Sequence, residues 1–168
     1  MLKTDSVPAF SARGRYITTT NAFRDKLPAV PAETFTVERD QAFHADAPTG
    51  VFSCDISDRL ASAVPATTPL LLARYLRVRT GESLALQVRA TAAIYYVIRG
   101  AGESAAGDDR FAWAQGDIFC IPGGGRTIHR ATTDSVLWAV GNEPEVAFHR
   151  LDPPDSEASE IVHYPAEI

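Results

Sequence analysis

Between residues 69 and 149 apolar and polar positions mostly alternate with a period of two, the rhythm of half-buried β-strands. Leu70 to Arg79 reads as the first strand and Thr80-Gly81-Glu82 as the turn after it. From Ser83 to Thr91, Leu84, Leu86 and Val88 alternate with Ala85, Gln87 and Arg89. Ile94 to Ile98 is an apolar strand that Gly100 and Gly102 interrupt. Gly107-Asp108-Asp109 marks a hairpin, Phe111 to Ala114 a strand, and Gln115-Gly116-Asp117 a further turn. Ile118 to Ile121, Thr127 to Thr132, Val136 to Val140 and Val146 to His149 complete the set. Short strands at this spacing predict a sandwich or barrel, with no room for a helix of normal length.

The flanks differ in texture. Residues 1 to about 50 hold Pro8, Pro28, Pro31 and Pro48 and little periodicity; one short helix is expected from a cap at Thr20 or Asn21 to the residue before Pro28. From Leu151 the tail carries five acids, Pro153-Pro154 and no Lys or Arg. Its Ile161-Val162-His163-Tyr164 stretch is expected to pair as an edge strand, with disorder near residues 153 to 160. The predicted organisation is therefore an arm over residues 1–68 that packs on the barrel or on a partner subunit, a barrel over 69–150, and an acidic extension over 151–168.

Composition changes this picture only at the edges. The 168 residues fit one domain, and 45% hydrophobic with 22% charged residues is an ordinary globular balance. A net charge of −5, with 16 basic residues scattered among 21 acids, argues against nucleic acid as a partner. The apolar runs fall short of the roughly 20 residues a bilayer requires, and no secretory pattern opens the chain, so a cytoplasmic protein is expected. Cys54 and Cys120 are then expected to stay reduced. The chain lacks a G-x-S-x-G elbow, a C-x-x-C pair and an H-E-x-x-H helix. Gly123-Gly124-Gly125 lacks the Lys and Ser or Thr of a phosphate loop and reads as a flexible rim loop tipped by Arg126.

Two linked patterns carry a family resemblance. Gly81 and Gly100 bracket a segment containing Tyr95-Tyr96-Val97-Ile98, and Gly116-Asp117 precedes Pro122 by a five-residue gap. Over roughly residues 70 to 149 the chain resembles the cupins, whose two motifs run G-x5-H-x-H-x3–4-E-x6-G and G-x5-P-x-G-x2-H, and within them it looks like a shorter relative of the gentisate dioxygenase-like cupins. The resemblance implies an all-β double-stranded β-helix, a jelly-roll barrel, and a homodimer. It also implies an iron held by histidines, but Gln87 and Arg89 stand at the two histidine positions and Ala93 at the glutamate position. His129 alone answers to the last histidine, two residues late. A guanidinium has no lone pair to give and repels a cation, so no metal and no cofactor is expected.

If the family register holds, Gln87 and Arg89 face the barrel interior and Leu84, Leu86 and Val88 face outward. Arg89 then pairs either with an internal acid such as Glu82, Glu103 or Asp117, or with the carboxylate of a ligand. Beside it, His129 should have a lowered pKa and stand as a neutral acceptor. Tyr95 shares the inward face with Val97, Trp138 is a candidate pocket wall, and His44, His149 and His163 read as surface or structural. These residues point to a metal-free cupin binding a small, anionic organic molecule in its barrel through Gln87, Arg89, Tyr95, His129 and Trp138, with no catalytic residue assigned. Two alternatives stay open: a metal-dependent, dioxygenase-like enzyme, and a non-catalytic subunit or interaction module whose barrel is filled by its own side chains.

Overall fold

In the computed structural model, which describes residues 9–15, 17–20, 30–153 and 160–166, the alternation resolves into two antiparallel sheets facing each other. Three short helices lie in the N-terminal segment: α1 (Ala9–Ala12), α2 (Thr36–Phe43) and α3 (Ser57–Leu60), with strand β1 (Gly50–Ser53) between the last two. The barrel strands follow as β2 (Leu72–Val78), β3 (Ser83–Gln87), β4 (Ala92–Arg99), β5 (Ala101–Ala106), β6 (Asp109–Ala114), β7 (Ile118–Pro122), β8 (Arg126–Ala131) and β9 (Ser135–Gly141). Helix α4 (Glu143–Phe148) and strand β10 (Val162–Tyr164) close the order. The larger sheet runs β1-β2-β9-β4-β7-β10 and the smaller β3-β8-β5-β6, an all-β jelly-roll arrangement. The arm supplies one edge of the larger sheet, with Gly50 opposite Arg77, and the tail the other, with His163 opposite Phe119.

Four expectations need correction or fall outside the described residues. Gly100 separates two strands as expected, but Gly102 interrupts nothing. Gly100 turns the chain at φ +93°, and Gly102 lies within β5 because a Cβ there would stand 2.2 Å from the Arg130 carbonyl oxygen and 2.6 Å from the Trp113 ring. Val146 to His149 is helical: Pro144 in the first turn presets φ, and four apolar-rich residues cannot by periodicity tell strand from helix. The helix expected after Thr20 and most of the tail segment expected to be disordered (residues 154–159) lie outside the described residues. Among the described residues no helix is long and apolar enough to cross a membrane.

The core sits between the sheets. Leu76, Tyr95, Trp113, Phe119, Ile121 and Leu137 are its largest members, with Leu84, Leu86 and Phe111 packed against them. The Tyr95 and Phe119 rings stack at 4.9 Å, and Phe111 meets Phe119 edge-on at 5.0 Å. Outside the larger sheet, α2 is pinned by aromatic contact: Phe43 meets Tyr75 at 6.2 Å, and Tyr75 meets Trp138 at 4.6 Å.

One end of the barrel gathers the connections that matter for function. Gly123 N–H donates to the Thr91 carbonyl, Gly124 N–H to that of Val88, and the Gln87 side-chain amide to that of Gly124. The Gly123–Gly125 loop is therefore fastened to the 88–91 connection rather than free. A Cβ on Gly123 would lie 1.7 Å from the Ala90 carbonyl oxygen, so no other residue fits there.

Candidate functional site

The inward face of β8 decides what the barrel interior holds. Thr127, His129 and Ala131 point inward from it, at 3%, 0% and 1% exposure. Deep in the barrel, Trp113 Nε1–H donates to Ser104 Oγ at 2.8 Å, and Ser104 Oγ lies 2.7 Å from His129 Nδ1. Nδ1 is best assigned as the acceptor, because Ser104 then spends its hydrogen on it and only one group, Nε2–H, goes unmet; the opposite tautomer strands two. Nε2 is surrounded by rings, Tyr95 at 5.0 Å and Phe119 at 6.3 Å between centroids. Burial pushes the imidazole down to about 4, so it is neutral at physiological pH. The lowered pKa expected for His129 is present, but its cause is desolvation and not Arg89. Sealed at 0% exposure, His129 has no route to a substrate and is a packing residue of a polar chain.

Arg89 stands outside the barrel. Its side chain is 70% exposed, and its nearest ionic partner is Asp152 at 3.6 Å, itself 99% exposed, a pair worth little. Gln87 is exposed as well, and Leu84, Leu86 and Val88 take the inward positions. The register is thus one residue away from the motif-based expectation. Since β3 has one buried face, the register follows the side chains that gain by burial. Each of these apolar groups gains about 1.5–3 kcal/mol when fully buried, whereas an unpaired guanidinium in their place would cost far more.

Along the second motif, Gly116, Pro122 and Gly124 keep the family spacing and put Thr127 at the last ligand position, so the loop is not enlarged and His129 is not a displaced ligand. The motif's ligand positions hold Gln87, Arg89, Ala93 and Thr127, and the inward places beside the first two are filled by Leu86 and Val88. Leu86 and Thr127 are direct partners across β3 and β8. Among the described residues no group of three or more His, Cys, Asp and Glu could hold a metal ion. The residues present do not fit an iron.

A guanidinium does face inward, on a strand with no motif to announce it. Arg74 of β2 pairs with Glu143 at the start of α4, with side chains 12% and 14% exposed. Arg74 Nε and Glu143 Oε2 are buried without partners. The Glu143 carboxylate folds back over Gly141, where a Cβ would meet Oε2 at 2.4 Å. Burial raises the Tyr95 phenol to about 12, with Arg74 the strongest opposing influence. Arg74 and Glu143 close one side of the mouth above Tyr95.

The other side is open, onto a cleft of 690 Å³. Ala106, Ile121 and Thr127 form its floor, and Ile161 contributes from the segment leading into β10. Asp108, Asp109, Arg126 and Glu160 stand around its rim. Thr127 Oγ1 is buried here with no hydrogen-bond partner. The Tyr95 phenol lies close enough to feel that oxygen, yet the pair falls short of hydrogen-bond geometry. Sequence reasoning missed Thr127, Arg74 and Glu143; the intact G-x5-P-x-G-x2 spacing was the available signal for the first.

The remaining candidates are structural. Trp138 points outward toward Tyr75 and away from the interior. His163 Nε2 lies 3.0 Å from Asp117 Oδ2 and anchors β10 to the barrel. Burial alone would raise the Asp117 carboxyl, but the N–H groups of Ala114 and Ala166 and the His163 ring hold it below its ordinary range. His44 and His149 are exposed. Cys54 and Cys120 are unpaired thiols, and burial, with Glu38 adding to it, pushes Cys54 up to about 11.

Comparison with known proteins gives the class of fold. A structure of salicylate 1,2-dioxygenase from Pseudoaminobacter salicylatoxidans with gentisate superposes at TM-score 0.52 and 18% identity, over 74% of this chain and 33% of that one. A second structure of this dioxygenase gives TM-score 0.52 at 16% identity, over 78% and 34%. The chain spans about a third of the length of these neighbours. No family model and no curated protein matches. The fold is cupin-like, resembling that of the gentisate dioxygenase-like cupins.

Proposed function

We propose that this protein is a cupin-type barrel that binds a small organic molecule at its mouth without a metal. The observation that carries this reading is Thr127: it stands where the motif would place a ligand histidine, 3% exposed, with an unpartnered hydroxyl on the floor of a 690 Å³ cleft. A cleft of this size suits a small ligand. An unmet buried hydroxyl costs about 1–3 kcal/mol, which a bound polar group offsets. The neighbours named for salicylate and gentisate suggest aromatic acids as the first compounds to try. Leu86, Val88 and Ala93 speak against the iron chemistry of a dioxygenase-like reading, and Arg89 is too exposed to hold a carboxylate inside the barrel. The test is a thermal-shift screen of small acids, amines and polyols, repeated after chelation and with Thr127→Val. The expected hit is unaffected by chelator and weakened by the substitution. Stoichiometric iron that survives dialysis, together with ring cleavage of gentisate, would refute the reading.

A second reading, an interaction module, is favoured by the outer face of the larger sheet. Ile94, Tyr96, Ile118, Val162 and Tyr164 are each 42–59% exposed there, with Ile94 opposite Cys120 and Tyr96 opposite Ile118. All five of these outward positions are uncharged. A second copy of this chain suits such a face, because a two-fold contact between uncharged patches brings no like charges together. Sedimentation at micromolar concentration is expected to give a dimer that Ile94→Lys/Ile118→Glu converts to monomer. A monomeric wild type would remove this reading.

A further inference from the structure

The charge around the mouth cleft narrows the class of molecule that enters it, provided that the cleft is the binding site proposed above. Asp108 stands on the β5–β6 turn, Asp109 opens β6 and Glu160 precedes β10, all three exposed. Arg126 is the one guanidinium among the described lining residues. Three carboxylates and one guanidinium sum to a formal −2 around the opening. An entering acid therefore meets net repulsion and an entering cation net attraction.

Exposed acids near a hairpin turn are common and by themselves indicate no ligand. Thr127 is an independent observation: the residue lines this cleft, is only 3% exposed, and its buried hydroxyl oxygen has no hydrogen-bond partner. A bare metal ion does not fit the arrangement. Oxygen ligands must converge to about 2.0–2.6 Å on such an ion, and among the described residues no cluster of His, Cys, Asp and Glu does so. The negative charge is spread around the rim, over an apolar floor of Ala106 and Ile121.

We propose that the cleft receives a small organic cation: a primary amine on a short apolar body, its ammonium among the rim carboxylates and a second polar group hydrogen-bonded to Thr127. Ammonium groups offer three donors in any direction and tolerate a loose ring of acceptors, which suits exposed carboxylates better than a bidentate acid would. The apolar floor accepts the alkyl body, and Thr127 fixes how far the molecule enters. Binding therefore weakens with salt, since the rim is open to solvent.

Isothermal titration of the full chain tests this, with putrescine, ethanolamine and 3-aminopropanol as the amines and salicylate and gentisate as the acids. The expected result is an amine whose Kd weakens by about tenfold in Asp108→Asn/Asp109→Asn/Glu160→Gln, several-fold in Thr127→Val, and again at raised salt. An acid that binds in a Thr127-dependent way, and tightens in the triple variant, overturns the cation but keeps the cleft. Compounds binding equally to wild type and both variants overturn the cleft and the cation together. An absence of heat from every amine at millimolar concentration also overturns the cation. All three rim positions are exposed, so the triple variant is expected to fold; circular dichroism checks it.

Discussion

Two residues of one strand, His129 and Thr127, show how differently the two depths of this barrel treat a buried polar side chain. Both point inward from β8 and both are almost fully enclosed. His129 Nδ1 ends a hydrogen-bonded chain that begins at Trp113 and passes through Ser104, and aromatic rings close over its unmet Nε2. Thr127, two residues nearer the mouth, has no hydrogen-bond partner and opens onto a cleft. The contrast teaches that a histidine in a barrel is not by itself a reactive group. Where a polar side chain is held by its own chain and sealed by rings, it specifies packing even with one nitrogen unmet; where it is unmatched in the wall of a cleft, it is available to a ligand.

The largest effect that separates the two depths lies in the aromatic plug. Phe119→Ala removes the ring stacked on Tyr95 and touched edge-on by Phe111, and is expected to cost about 3–5 kcal/mol in urea unfolding. A loss below about 1 kcal/mol would mean that the deep barrel is loosely filled, and the contrast with the mouth would vanish. Next in size is the ion pair that closes one side of the mouth. Arg74→Met leaves the Glu143 carboxylate enclosed and unpaired, and is expected to cost about 3 kcal/mol. Removing both charges, in Arg74→Met/Glu143→Leu, should recover most of it, because the penalty belongs to the stranded partner.

Much of the fold was legible in the chain, and the reasons it stopped short are local. Alternation found the strands around Leu76, Tyr95, Phe119 and Val136, since a sheet with one buried face writes its period into the sequence. It lost β5 because Gly102 looks like a breaker until the Trp113 ring is seen lying against it. The inward placement of Tyr95 is written in the alternation; Arg89 points outward because burial of Leu84, Leu86 and Val88, and not motif spacing, sets the register of β3. Arg74 and Glu143 were invisible, being 69 residues apart and joined only by tertiary structure. Thr127 carries no imidazole to mark the ligand position that it occupies, so only the motif spacing points to it.

His129 gives a pH signature of the sealed interior. Its folded pKa of about 4 lies below the ~6.5 of a free imidazole, so between those values the unfolded chain takes up a proton that the folded chain refuses. Its stabilising contribution is complete above pH 6.5 and is lost as pH falls toward 4, with a slope approaching about 1.4 kcal/mol per pH unit. The carboxyls of Asp55 and Asp117, held below their ordinary value of 3.8, lose their contribution only at lower pH. His129→Asn, whose side-chain oxygen can still accept from Ser104, should flatten the slope between pH 6.5 and 4. An unchanged slope would assign it to another group and leave the neutral histidine without support.

The smallest expected effect is the most discriminating. Thr127→Val replaces a hydroxyl by a methyl of similar size at a site with no hydrogen bond to lose. In a packing residue, valine for threonine ordinarily costs stability because a matched hydroxyl is removed. Here the removed group is unmatched, so unfolding free energy should change by less than about 0.5 kcal/mol or rise slightly, while ligand binding falls. Ser104→Ala is the control at the other depth: it strands both Trp113 Nε1–H and His129 Nδ1, and is expected to cost about 2 kcal/mol. Equal losses for the two substitutions would show that Thr127 is matched after all, by a water or by Tyr95, and the mouth would then differ from the plug only in depth.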